Sequence, residues 1–150
     1  MKLLSVKEII EYAIKIEKES FAFYTRAAEI VKDDNVKKLV EMLALEEIDH
    51  QNRLRNLIDK ETVSVEDLDK KHEINTTLME QIVNTSEIKT DSSAMDVLET
   101  ALDREESTEQ TYAMLATLSN IDESIVKIFD ELRLQERGHV NKIQYRIDHL

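Results

Sequence analysis

The chain has 150 residues, enough for one domain with a sizeable core, and its 32 acidic against 20 basic side chains leave a net charge of −12 at neutral pH. Such a surface repels nucleic acid and anionic lipid, while the absence of cysteine excludes a disulfide scaffold, a zinc–thiolate site, an iron–sulfur cluster and a thiol nucleophile. The apolar runs are too short for a transmembrane helix, and the start MKLLSVKEIIEYAIKIEKE carries too many charges for a signal peptide, so a cytoplasmic protein is expected.

One glycine and no proline point to an all-α chain of long helices. The first helix opens at Ser5, where Ser5 and Glu8 have capping-box spacing, and runs to about Val31. Asp33, Asp34 and Asn35 break it, and a second helix covers about 36–59. Residues 61–92 are rich in Ser, Thr, Asn and Asp and read as a long crossover. Within them Ile74, Leu78 and Ile82, four residues apart, predict a short amphipathic helix. At ~1.5 Å per residue, a helix of about 25 residues is about 38 Å long, a distance this crossover can span. Ser93 and Asp96 form a second capping-box pattern that opens a third helix to about Ser119. A fourth helix follows Asn120 and continues nearly to Leu150.

The two halves repeat. A shift of 88 carries Ser5 onto Ser93, Glu11 onto Glu99, Ala13 onto Ala101, Glu17 onto Glu105, Tyr24 onto Tyr112 and Ala28 onto Ala116. A shift of 89 carries Glu47 onto Glu136, His50 onto His139, Asn52 onto Asn141 and Asp59 onto Asp148. The chain therefore reads as two related helical hairpins.

Helices in a bundle pack through stripes that step by three and four residues. The stripes here are Ile10-Ala13-Glu17-Ser20-Tyr24-Ala28, Leu43-Glu47-His50-Leu54-Leu57, Leu98-Ala101-Glu105-Thr108-Tyr112-Leu115 and Leu132-Glu136-His139-Ile143. Each is interrupted by a Glu, two also by a His, and no Lys or Arg stands on them at that level. Unpaired carboxylates in a core are costly. Two divalent cations would balance four of them, with two neutral histidines completing the ligand set. Glu-x-x-His places both side chains on one helix face. Six residues are thus candidate metal ligands: Glu17, Glu47, His50, Glu105, Glu136 and His139. Glu47 and Glu136 are expected to bridge or chelate both ions, with Glu17 and Glu105 terminal. A bundle in which the six satisfy one another without metal is the structural alternative.

One Glu from each of two helices and Glu-x-x-His from each of two others is the ligand count of di-iron carboxylate bundles. At EKESFAFY (17–24), EIDH (47–50), EESTEQTY (105–112) and ERGH (136–139) the chain resembles the ferritin-like superfamily, and most closely the rubrerythrin family. The resemblance covers both hairpins but not the crossover. It implies a ferritin-like four-helix bundle, two iron ions, reduction of hydrogen peroxide, and a homodimer that sometimes exchanges helices. Manganese suits the same ligands. Rubrerythrins typically carry a rubredoxin domain with a four-cysteine iron site. Without cysteine, this chain would need an external electron donor such as a separate rubredoxin. The family's additional carboxylate on the third helix has Glu106 and Glu109 as candidates here. Bacterioferritins share the six-ligand pattern, so iron storage with oxygen as oxidant is the alternative function. Their haem-ligating Met follows the first Glu of Glu-x-x-His, where this chain has Ile48.

Tyr24 and Tyr112 follow Glu17 and Glu105 by two turns on the same faces. They are expected either to be core residues with satisfied hydroxyls, or to serve the site by bonding the carboxylates around it or by carrying an electron during oxidation. Gly138, inside the second Glu-x-x-His, suggests close helix approach, an access path or local packing. His72 and His149 read as solvated, Glu46 as a surface residue, and Met42, Met79, Met95 and Met114 as core filler.

Overall fold

A computed structural model describes residues 1–60, 62–83 and 88–150. Four long helices, α1 (Val6–Ile30), α2 (Asp34–Asp59), α5 (Ala94–Leu115) and α6 (Glu123–Asp148), form two hairpins packed against each other. The crossover between them carries α3 (Val65–Asp69), the strand β2 (Lys71–Ile74) and α4 (Thr77–Val83). A strand at the start of the chain, β1 (Lys2–Ser5), pairs antiparallel with β2, Lys2 opposite Ile74 and Ser5 opposite Lys71.

Local chemistry starts the long helices where the spacing predicts. Ser5 and Ser93 each accept a hydrogen bond from the third helical N–H, and the side chains of Glu8 and Asp96 bond back to the cap N–H. These reciprocal bonds satisfy donors that a helix start leaves free. Asp33 caps α2 through the N–H groups of Asn35 and Val36.

The expectations need four corrections. The last helix is capped by Asp122, not Asn120. Asn120 instead adopts φ 59°, a left-handed conformation that Asn tolerates and that a helix does not, and α5 ends at Leu115 rather than Ser119. Ile74 belongs to β2, and α4 buries Met79 and Ile82 rather than a stripe of Ile74, Leu78 and Ile82. On α1 it is Ala27, not Ala28, that is buried. Of the four methionines, Met79 is fully buried; Met42, Met95 and Met114 are half-buried. The short sheet is an addition to the all-α reading; it ties the crossover to the start of α1, where Val6 N–H also donates to the Lys70 carbonyl.

The apolar core falls into two clusters. One gathers Ile9, Ile10, Leu54, Leu57, Tyr112, Phe129 and Leu132 with the crossover residues Leu68, Ile74, Met79 and Ile82. The other gathers Tyr24, Val36, Val40, Leu43, Val97, Leu98 and Ile143. The buried polar residues of all four long helices lie between them in sequence, at the middle of each stripe. No helix among the described residues is long and apolar enough to cross a membrane.

Candidate metal centre

The core stripes bring the six candidate ligands together. Glu17 comes from α1, Glu47 and His50 from α2, Glu105 from α5, and Glu136 and His139 from α6; all are at most 3% exposed. One donor atom each from Glu17, Glu47, His50 and Glu136 lie within 4.8 Å of one another, and so do one each from Glu47, Glu105, Glu136 and His139. Glu47 and Glu136 belong to both groups. The two imidazoles are stacked, with centroids 5.6 Å apart and planes at 12°.

The atoms show how the central carboxylates are shared. His50 Nδ1 lies 3.7 Å from Glu47 Oε2 and 3.0 Å from Glu136 Oε1. His139 Nδ1 lies 3.6 Å from Glu47 Oε1 and 3.7 Å from Glu136 Oε2. Each central carboxylate therefore turns one oxygen toward each histidine, the disposition a bridging carboxylate needs. Glu17 approaches only His50, at 3.3 Å, and Glu105 only His139, at 3.6 Å.

Several of these atoms lack a well-aligned hydrogen-bond partner despite burial: Glu47 Oε1, both oxygens of Glu136, and His139 Nδ1. An unsatisfied buried polar atom costs about 1–3 kcal/mol, so four converging on one place call for a common ligand. Four carboxylates and two imidazoles are a donor set suited to two divalent first-row ions, iron and manganese among them. The residues fit such a pair.

The tyrosines are cross-paired between hairpins. Tyr24 on α1 donates to Glu105 Oε1 at 2.5 Å, and Tyr112 on α5 donates to Glu17 Oε1 at 2.6 Å. Each ring sits in a different apolar cluster, so hydroxyls from the two clusters reach the terminal carboxylates. Burial and the nearby carboxylate push both phenols well above their usual range, which keeps them as donors.

Charge is distributed unevenly over the glutamates. Burial and the Glu17 and Glu136 carboxylates raise Glu47 well above the usual range. Burial and Glu105 raise Glu136 to about 8. At Glu105 burial opposes ionisation, but the adjacent Glu136 and His139 groups and the Tyr24 hydroxyl outweigh it and hold the group at about 2. Glu17 is lowered in the same way, against burial, by Glu47, His50 and Tyr112. Burial also opposes the imidazolium forms, yet the carboxylates raise His50 strongly and His139 to about 10. In the metal-free chain these directions favour protons on Glu47, Glu136 and both imidazoles, and charge on Glu17 and Glu105.

Among the described residues, no Lys or Arg pairs with these four carboxylates. Arg104, next to Glu105, is buried, but its guanidinium turns away to Ser20 Oγ and the Ile82 carbonyl and lies over the Phe23 ring. Glu106 is exposed and Glu109 pairs with Arg137, so neither joins the ligand groups. The additional carboxylate beside the site is Glu46, read from sequence as a surface residue: its Oε2 lies 2.7 Å from His139 Nε2. Its adjacency to Glu47 was the available signal, but the hundred-degree turn between neighbouring helical residues argued against it. A Cβ at Gly138 would meet nothing within 4 Å, which removes both the close-approach and the packing explanations. His72 is half-buried rather than solvated, with Nε2 lacking a partner. His149 is exposed and stacks on Tyr145.

The comparisons bear on the same segments. A search of curated proteins found no match. Among solved structures, a hypothetical protein from Pyrococcus furiosus is similar, with a TM-score of 0.71 and 24% identity over 97% of this chain and 89% of that one. At that identity the likeness establishes the fold alone, a helical bundle. The rubrerythrin family model matches residues 8–146, which include all six clustered Glu and His residues and both tyrosines. The chain belongs to the rubrerythrin family.

Proposed function

We propose that this protein is a peroxide reductase that works through two iron ions held by Glu17, Glu47, His50, Glu105, Glu136 and His139, with electrons delivered by a separate donor protein. The observation that carries the reading is the sharing of Glu47 and Glu136, each with one oxygen toward each histidine. That disposition would suit two ions held side by side rather than one. Two bound ferrous ions would supply one electron each, which with two protons turn hydrogen peroxide into two molecules of water.

The chain's own groups have definable tasks in this reading. Glu47 and Glu136 neutralise both ions and keep them adjacent. Tyr24 and Tyr112 hold Glu105 and Glu17 by their hydroxyls, so the terminal carboxylates keep their orientation as the charge beside them changes. The apolar clusters shield the polar layer from bulk water, which strengthens every charge interaction within it. With no cysteine in the sequence, no thiolate-bound iron within these 150 residues can relay electrons, so a rubredoxin-like partner is assigned that role.

The test is anaerobic ferrous loading, counting of bound iron, then addition of stoichiometric peroxide or air while ferric absorbance is followed. Two irons per chain, oxidised faster by peroxide than by air, support the proposal. Oxidation as fast by oxygen, with further iron accumulating, would replace it with iron storage. A chain that binds no iron would end both readings.

A further inference from the structure

The two histidines match in the repeat, but different groups stand behind them. Glu46 is a half-buried residue whose Oε2 is itself buried. That oxygen sits 2.7 Å from Nε2 of His139, a close contact between a carboxylate and the ring in which the N–H is not aligned on the oxygen. The opposite nitrogen of the same ring, Nδ1, faces Glu47, Glu105 and Glu136. One imidazole thus lies between an outer carboxylate and the inner cluster. A neutral imidazole has one N–H and one lone pair. With the proton kept on Nε2, beside the Glu46 carboxylate, the lone pair is left on Nδ1, toward the cluster. His50 differs: Glu17, Glu47 and Glu136 all approach it through Nδ1. The shift of 89 that relates the two hairpins puts Gln135, an uncharged and exposed residue, where Glu46 stands.

We propose that Glu46 is a positioning residue for His139: it fixes the tautomer with Nδ1 free as a donor and makes the His139 side of the centre the tighter of two otherwise matching metal positions. The inference rests on the two-ion reading above. A carboxylate behind a metal-binding imidazole sets the ring's orientation and raises its basicity, and its loss typically weakens metal binding about 10–100-fold. Glu46 supplies this to one histidine only, so the repeat is broken where it would otherwise make the two ions equivalent.

The test is anaerobic titration with ferrous iron-57, read by Mössbauer spectroscopy, on the full chain and its Glu46→Ala and Glu46→Gln variants, with a thermal melt of each. Wild-type chain is expected to fill one position before the other. Glu46→Ala should weaken the tighter position by about 10–100-fold and alter its quadrupole doublet, while the second position and the melting temperature of the metal-free chain stay near wild type. Glu46→Gln, which keeps an acceptor oxygen without the charge, should recover part of the loss. Unchanged affinities in Glu46→Ala, or equal weakening of both positions, would overturn the inference while leaving the two-ion reading intact. A wild-type chain that takes up no iron pair would overturn both.

Discussion

The cross-paired tyrosines make a quantitative expectation possible. Replacing Tyr112 with Phe removes one oxygen and leaves the ring in place among Phe129 and its neighbours. What disappears is a 2.6 Å hydrogen bond to Glu17 Oε1, whose carboxyl is held in its charged form in part by that hydroxyl. Glu17 is fully buried, so no bulk water replaces the lost donor. A hydrogen bond to a charged group contributes about 1.5–3 kcal/mol, and leaving its buried partner unsatisfied costs a similar amount. For a chain of this size about 1 kcal/mol moves the melting temperature by about 2–4 °C, so Tyr112→Phe should melt about 3–12 °C lower. Tyr24→Phe, which removes the 2.5 Å bond to Glu105, should fall in the same range. The double variant should be non-additive, because Glu17 and Glu105 both interact with Glu47 and Glu136. Calorimetric melts in chelator measure all three, with Tyr12→Phe as control, since Tyr12 is half-buried on α1 outside the ligand groups. A Tyr112→Phe variant as stable as wild type would show that the hydroxyl bond contributes nothing and that the tyrosines are packing residues alone.

Three further outcomes are expected. Gly138→Ala should raise the melting temperature, by about 1 kcal/mol of helix propensity, because its Cβ enters open space; a lower temperature in scanning calorimetry would contradict the local geometry. Metal uptake should release protons at neutral pH, since Glu47 and Glu136 are raised and both histidines are raised, so these four groups carry protons that two divalent ions displace. Affinity should therefore climb as pH rises from about 6 to 8, and titration calorimetry in buffers of different ionisation heat would expose a pH-independent, proton-free uptake as a refutation. Ser93→Ala should cost about 1 kcal/mol through loss of the α5 cap, measured by urea unfolding, whereas an unchanged midpoint would mean the capping box is idle.

Much of the molecule was legible before its coordinates. The long helices were marked by local signals: serines with acids three residues on, stripes of period near 3.6, and an almost complete absence of Gly and Pro. The clustering of the six Glu and His residues is legible for a related reason. A carboxylate on an apolar stripe contradicts the pattern around it, and here the contradiction recurs at the same place in both halves. Where local signals are ambiguous the structure differs: α5 ends four residues before Ser119, and Ile74 belongs to a strand. The β1–β2 pair was missed because KLLS and KHEI carry no strand pattern of their own; their partners lie about seventy residues apart.

The sequence by itself determined that four long helices form, which face of each is buried, and that Glu17, Glu47, His50, Glu105, Glu136 and His139 share that buried face. These follow from spacing along one chain, because helical geometry converts sequence separation directly into angle. Tertiary structure alone decided that Glu47 and Glu136 divide their oxygens between the two histidines, that each tyrosine serves the glutamate of the opposite hairpin, and that Glu46 reaches His139. Those facts depend on how far each helix is rotated and raised against its neighbour, and packing of two apolar clusters from distant parts of the chain sets both.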